Sequence, residues 1–201
     1  MLRHSMEEFG VINIDCLDER RLCFKYLSRL LDYPEQDILD KKFLDDFDRE
    51  YPNTDQKLLV RDWIVNMQSK TLFDLKREYT DLFELNKRFT LYFSYYKFED
   101  SRQRGSVIAK LKMLYEMFGF SIEGTELADY LPLMLEFLYL GDWDNDDRQQ
   151  DIELVFQVIE DGTFNILKNR VEYEGEAYLD LISILRKEAK SCIALPVKKG
   201  E

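Results

Sequence analysis

The stretch RFTLYFSYYKF, Arg88 to Phe98, carries six aromatic residues in eleven positions: Phe89, Tyr92, Phe93, Tyr95, Tyr96 and Phe98. Rings favour strands, yet they also suit a core helix or a surface that grips another polypeptide. Whether this stretch is strand or helix bears on the fold class, and its neighbours have to choose. A lone strand in an otherwise helical chain would leave its backbone donors unpaired. A helix satisfies them internally. On a helix, Phe89, Tyr92, Phe93 and Tyr96 share a broad face and Tyr95 turns elsewhere.

Working outward, the neighbours show the helical period, with apolar residues three and four apart rather than alternating. Leu17 to Leu31 reads as a helix with Asp15 as cap and Pro34 as stop. Ile38, Phe43, Phe47 and Tyr51 suggest a second, ended by Pro52, and Val60, Trp63, Ile64 and Met67 a third, starting near Asn53 or Thr54. Leu72, Leu75, Tyr79, Leu82 and Phe83 mark a fourth. After Asp100 or Ser101, the pattern Val107, Ile108, Leu111, Tyr115, Phe118 predicts a long helix, with Gly119 placed for a left-handed stop. Leu127, Leu131, Met134 and Leu138 continue the period; with Asp129 as cap, Pro132 falls in a first turn, where its missing donor is harmless. Ile152 to Ile159 forms another helix ended by Gly162, Phe164 to Val171 a short one, and Tyr178, Leu181, Ile182 and Leu185 the last. Eight to ten helices with short links, no Pro/Gly/Ser-rich divider and no repeat predict an all-α, single-domain helical bundle over 1–201, with 1–14 and 191–201 as flexible ends.

Composition narrows the function classes. A chain of 201 residues, 45% hydrophobic and 34% charged, is long enough for a substantial core. No apolar run approaches the roughly 20 residues of a membrane span, so direct membrane insertion is not expected. MLRHSMEEFGVINID lacks a basic region followed by an apolar one, so a secretory signal is not expected either. The cysteines, Cys16, Cys23 and Cys192, form no C-x-x-C, which fits a reducing cytosol. The single histidine, His4, argues against zinc and against a His-based triad. A net charge of −12 argues against nucleic acid and favours a basic partner. Eleven acids against one base, Arg148, lie between Glu126 and Asp161, whereas Arg186 to Glu201 carries five bases and two acids.

Motifs for chemistry are sparse. DWDNDDRQQDIE, Asp142 to Glu153, has acids at calcium-loop positions one, three, five and twelve, but Asp147 stands where the turn wants glycine and Gln149 where an apolar anchor is usual. It reads better as an acidic loop entering a helix N-terminus. No glycine-rich phosphate loop is present. Asp45-Asp46 and Asp146-Asp147 point about 100° apart on a helix and do not converge on one atom. Cys23 sits among apolar residues, as an inert thiol would. The aromatic stretch holds more rings than one buried stripe can take, so some of its tyrosines should reach a surface or groove.

Two blocks carry a family resemblance. ELADYLPLMLEFL, Glu126 to Leu138, resembles the E-x-P-D-H-L…L-E-F/Y-L signature of the TorD-like redox-enzyme maturation chaperones, with Ala128 at the usual proline and Tyr130 at the usual histidine. YTDLFELNKRFTLYFSYYKFEDSRQRG, Tyr79 to Gly105, opens like that superfamily, and its D-S-R-Q-R-G ending resembles the nitrate reductase delta subunit group, as does SRLLDYP, Ser28 to Pro34. By position the matching residues are Tyr79, Leu82, Phe83, Arg102, Arg104, Gly105, Glu126, Asp129, Leu131, Pro132, Glu136, Phe137 and Leu138.

The resemblance implies an all-helical cytoplasmic chaperone without turnover and without a cofactor of its own. Its implied partner is the immature catalytic α subunit of nitrate reductase, held by a basic N-terminal peptide until the molybdenum cofactor is inserted, with cofactor-delivery proteins as further partners. The chaperone is not part of the finished enzyme. Another molybdoenzyme as client, a small nucleotide-dependent enzyme and a permanent helical adaptor are the competing readings. An amphipathic basic peptide needs an apolar groove with an acidic rim. Tyr92, Tyr96, Tyr130, Met134 and Phe137 are the expected lining, with Asp129 and Glu136 facing the partner's arginines. Asp129 competes for the role of helix cap. Tyr79, Phe83, Phe93, Arg102 and Arg104 complete the expected peptide-binding set.

Overall fold

The computed structural model describes residues 10–96, 101–173 and 175–194. His4, Phe98 and the proposed cap Asp100 lie outside the described residues. Nine helices occur among those residues: α1 (Ile14–Glu19), α2 (Arg21–Leu31), α3 (Lys41–Glu50), α4 (Lys57–Gln68), α5 (Leu72–Tyr79), α6 (Ser101–Met117), α7 (Leu131–Leu140), α8 (Glu153–Lys168) and α9 (Ala177–Ser191). The described residues are all-α apart from two short strands, β1 (Val11–Ile12) and β2 (Ile193–Ala194), paired antiparallel with Val11 opposite Ala194.

Helix α7 lies at the centre because its sequence leaves no other place for it. LPLMLEFLYL has one charged residue, Glu136, and Leu131, Pro132, Met134, Leu135, Phe137 and Leu138 are buried. Its main neighbour is α2, whose Cys23, Phe24, Tyr26, Leu27, Leu30 and Leu31 form one buried stripe. Helix α9 is enclosed by α2, α4 and α8. Each large side chain buried this way contributes about 1.5–3 kcal/mol, and the core holds Phe24, Phe47, Phe137, Phe156, Trp143 and Tyr178.

The aromatic stretch is not the expected helix. Residues Phe93–Tyr96 make one 3-10 turn, and the residues before it run extended beside the segment that precedes α7. Tyr92 bridges Tyr130 in antiparallel fashion, Leu131 N donates to Leu91 O at 2.8 Å, and Phe93 N donates to Asp129 O at 2.9 Å. The objection to a strand was that it would lack a partner. Residues 129–131, nearly forty positions on, supply one.

The same segment explains a second departure. Gly162 does not end a helix; α8 runs through it to Lys168 and joins two elements expected to be separate. A Cβ on Gly162 would lie 2.2 Å from the Phe93 ring. This glycine therefore admits an aromatic side chain against the helix rather than stopping it.

Other boundaries moved for local reasons. Leu17 to Leu31 is split at Arg20, and the cap of α1 is Asn13, whose side chain accepts from Cys16 N, not Asp15. The second predicted helix begins as a 3-10 turn at Gln36–Leu39. Helix α4 starts at Lys57, later than Asn53 or Thr54. The fourth continues past α5 as a π-turn, Thr80–Glu84. Gly119 is left-handed at φ +72° after α6, as its spacing predicts. Residues within the expected loose ends are anchored: Ile12 is buried in the β1–β2 pairing, and Asn13 N donates to Cys192 O at 2.8 Å.

Candidate functional site

A cleft of about 630 Å³ opens where the two motif blocks meet. The end of α2 contributes Ser28, Asp32 and Tyr33. Tyr79, Phe83 and Glu84 come from the end of α5 and its π-turn, a backbone irregularity common at functional sites. Leu91 and Tyr92 come from the extended stretch, and Glu123 and Glu126 from the loop after α6. Helix α7 supplies Leu133 and Glu136, just after Tyr130.

Hydroxyl groups tie these walls together. Tyr130 donates to Asp32 Oδ1 at 2.9 Å and lies 2.9 Å from the Tyr79 hydroxyl. Tyr92 donates to Glu126 Oε2 at 2.7 Å, and its ring stands 5.3 Å from that of Tyr130. Burial and, secondarily, Glu126 push the Tyr92 hydroxyl up to about 12, and burial raises Tyr79 and Tyr130 further. All three therefore remain neutral hydrogen-bond donors at physiological pH.

Five carboxylates line the cleft, those of Asp32, Glu84, Glu123, Glu126 and Glu136, and among the described residues no lysine or arginine does. Lys76 lies close by, stacked over the Tyr33 ring at 5.0 Å. Partial burial first, then the neighbouring Asp32 and Glu123, hold the Glu136 carboxyl above the usual carboxylate range. Excess negative charge around rings is an arrangement that a cation relieves.

The expected peptide-binding residues divide. Tyr79, Phe83, Tyr92, Tyr130 and Glu136 converge on the cleft. Met134, Phe137 and Phe93 are wholly buried. Phe137 packs on Tyr115 at 4.5 Å and near Trp143, within a ring cluster that leaves it no exposed edge. Tyr96 is outside the lining; its hydroxyl donates to Thr90 O at 2.9 Å and to Arg88 O at 3.1 Å, closing its own loop.

Asp129 neither caps α7 nor faces a partner. It is fully buried, Ser94 Oγ donates to it, and Arg104 Nη2 lies 3.3 Å away. Arg104 is thus committed to an internal pair, and Tyr130 holds the cap position of α7. Arg102 is exposed on α6, outside the cleft lining.

The acid-rich run from Glu126 to Asp161 supplies only Glu126 and Glu136 to the cleft. The carboxylates of 142–151 follow the opposite end of α7, where Asp146 is held by Arg148 at 2.6 Å. Among the described residues, no group of His, Cys, Asp and Glu is placed to hold a metal ion. Nor is any helix among them long and apolar enough to cross a membrane. Asp32, Tyr33, Glu84 and Glu123 were not anticipated at the site. For the first two, the quoted SRLLDYP block was an available signal.

An all-helical body in which the Tyr79–Gly105 and Glu126–Leu138 blocks build one cleft defines the class, and comparison with known proteins agrees with it. The chain belongs to the nitrate reductase delta subunit family, whose model matches residues 42–162. It is 30% identical over 173 residues to the probable nitrate reductase molybdenum cofactor assembly chaperone NarJ of Bacillus subtilis, covering 83% of this chain and 88% of that one. It is 24% identical over 172 residues to the nitrate reductase molybdenum cofactor assembly chaperone NarJ of Escherichia coli K12, covering 83% and 69%. The probable assembly chaperone NarW of the same strain is 28% identical over 116 residues, 57% of this chain and 48% of that one.

Proposed function

We propose that this chain is a cytoplasmic assembly chaperone for nitrate reductase. In this reading it holds the N-terminal segment of the catalytic α subunit in the acid-lined cleft while the molybdenum cofactor is inserted, and it then departs. Proteins that deliver the cofactor are further partners. The observation that carries the reading is the cleft's composition: five carboxylates and four tyrosines, Tyr33, Tyr79, Tyr92 and Tyr130, with no basic residue among the described residues of the lining.

Such a surface suits a segment with a basic side chain and an apolar face. The rings accept the apolar face, while the carboxylates steer the cation and pair with it. Individual exposed pairs contribute no more than about 1 kcal/mol, so affinity depends on several acting together with ring contacts.

Titration calorimetry with a synthetic peptide of the α subunit N-terminus tests this. Binding that weakens when the peptide's lysines and arginines are replaced by glutamine is the expected result. Absence of binding, with the chain instead capturing the α subunit through another region, would remove the cleft from the reading. Capture of a different molybdoenzyme from nitrate-grown cells would change the client.

A further inference from the structure

Cys16 and Cys192 meet where the two ends of the fold are joined. They are 176 positions apart in sequence, yet their sulfurs lie 4.0 Å from each other. Cys16 stands in the first turn of α1 and Cys192 at the C-cap of α9. The β1–β2 pairing aligns the two elements. Cys16 is partly exposed and Cys192 fully buried. Arg20 Nε donates to the Cys16 sulfur at 3.3 Å, so a cation contacts the sulfur that solvent can reach. Partial exposure beside a positive group is the setting of thiols that exchange with disulfides. Cys23 is different: it is fully buried, beside Tyr51 and Arg20 but closed to solvent, and burial pushes its thiol up to about 12.

We propose that Cys16 and Cys192 form a redox-sensitive pair, which a small-molecule disulfide closes into an intramolecular bond clasping the two ends of the fold. The Cys16 thiolate attacks one sulfur of the disulfide and releases one small thiol, leaving a mixed disulfide on Cys16. Cys192 gives up its proton and attacks the Cys16 sulfur, releasing the second small thiol. Two protein thiols are oxidised, one disulfide is reduced to two thiols, and the two thiol protons end on the leaving groups. The sulfurs need to approach by roughly 2 Å to reach bonding distance. Burial holds the Cys192 thiol protonated, so its attack relies on the closeness of the Cys16 sulfur, 4.0 Å away. A bond across so long a loop removes unfolded-state entropy and stabilises the fold.

The test incubates the full chain with glutathione disulfide, quenches with iodoacetamide, and maps disulfides by non-reducing peptide mass spectrometry. A Cys16–Cys192 linked peptide is expected, with Cys23 alkylated only after denaturation and a reversible rise in Tm of about 10 °C. Cys23→Ser should behave identically, and Cys192→Ser should stop at glutathione on Cys16. Glutathione that stays on Cys16 of the unmodified sequence, a link involving Cys23, a link between chains, or an unchanged Tm would each overturn the proposal.

Discussion

Arg104 and Asp129 are partners. One comes from each of the two blocks that carry the family resemblance, and they meet inside the protein, with the Arg104 guanidinium 3.3 Å from a carboxylate that has no solvent exposure. Ser94 bridges them, accepting from Arg104 Nε at 3.1 Å and donating to Asp129. Among the described residues, the second carboxylate oxygen of Asp129 is buried without a hydrogen-bond partner. The pair pins α6 to the segment before α7 and so fixes one wall of the cleft.

Arg104→Ala should therefore act on stability first. Removing one member leaves a buried charge uncompensated, at a cost of about 3 kcal/mol, or a Tm lower by roughly 6–12 °C. Thermal and urea melts check this. The Arg104→Ala/Asp129→Ala double variant should lose less than the sum of the singles, because the pair is coupled. Additive losses would mean that the two side chains do not depend on each other.

Gly162→Ala should destabilise, against the usual trend. In an exposed helix the change gains about 0.5–1 kcal/mol. Here the added methyl would meet the Phe93 ring at 2.2 Å, and overpacking of this kind costs about 1–3 kcal/mol. Combining it with Phe93→Leu should recover part of the loss, as read from the melting midpoint.

Glu136→Gln should move stability and binding in opposite directions. The Glu136 carboxyl is raised by burial and by Asp32 and Glu123, so the fold favours its protonated form. Its contribution is present at low pH and is lost as pH rises through the raised value. Glutamine mimics the protonated state, so the variant should melt slightly higher near pH 8 and match the parent near pH 4. A basic peptide, by contrast, gains from the ionised carboxylate and should bind about fivefold more weakly to the variant. Peptide affinity for the parent should increase from pH 5 to pH 7, with proton release seen as a buffer-dependent binding heat.

Tyr130→Phe should cost about 1 kcal/mol, the worth of the hydrogen bond to Asp32, and should weaken peptide binding by loosening the α2 wall. Tyr96→Phe loses only bonds within its own loop, so it should leave peptide affinity unchanged in calorimetry. A Tyr96→Phe variant that lost binding while folded would return Tyr96 to the site.

Raising the salt concentration from 50 to 500 mM should lower peptide affinity progressively, because exposed charges are screened beyond about 8 Å at physiological ionic strength. An affinity that ignores salt would assign binding to ring contacts alone.

By itself, the sequence determined the helical class, the position of most helices and the family. The reason is that the 3.6-residue period, prolines such as Pro34 and Pro52, and the left-handed Gly119 are local signals, and short motifs survive without knowledge of their surroundings. What the tertiary structure decided was the state of the aromatic stretch and the membership of the cleft. Leu91 and Tyr92 are extended because residues 129–131 pair with this stretch. Gly162 continues a helix because Phe93 leans on it. Asp129 is withdrawn from any partner because Arg104 and Ser94 reach it first. Tyr92, in the extended stretch, faces the cleft, and Phe93, the first residue of the turn, lies in the core. Which side becomes the cleft is set by contacts between segments far apart in the chain, and local period and composition carry no record of those.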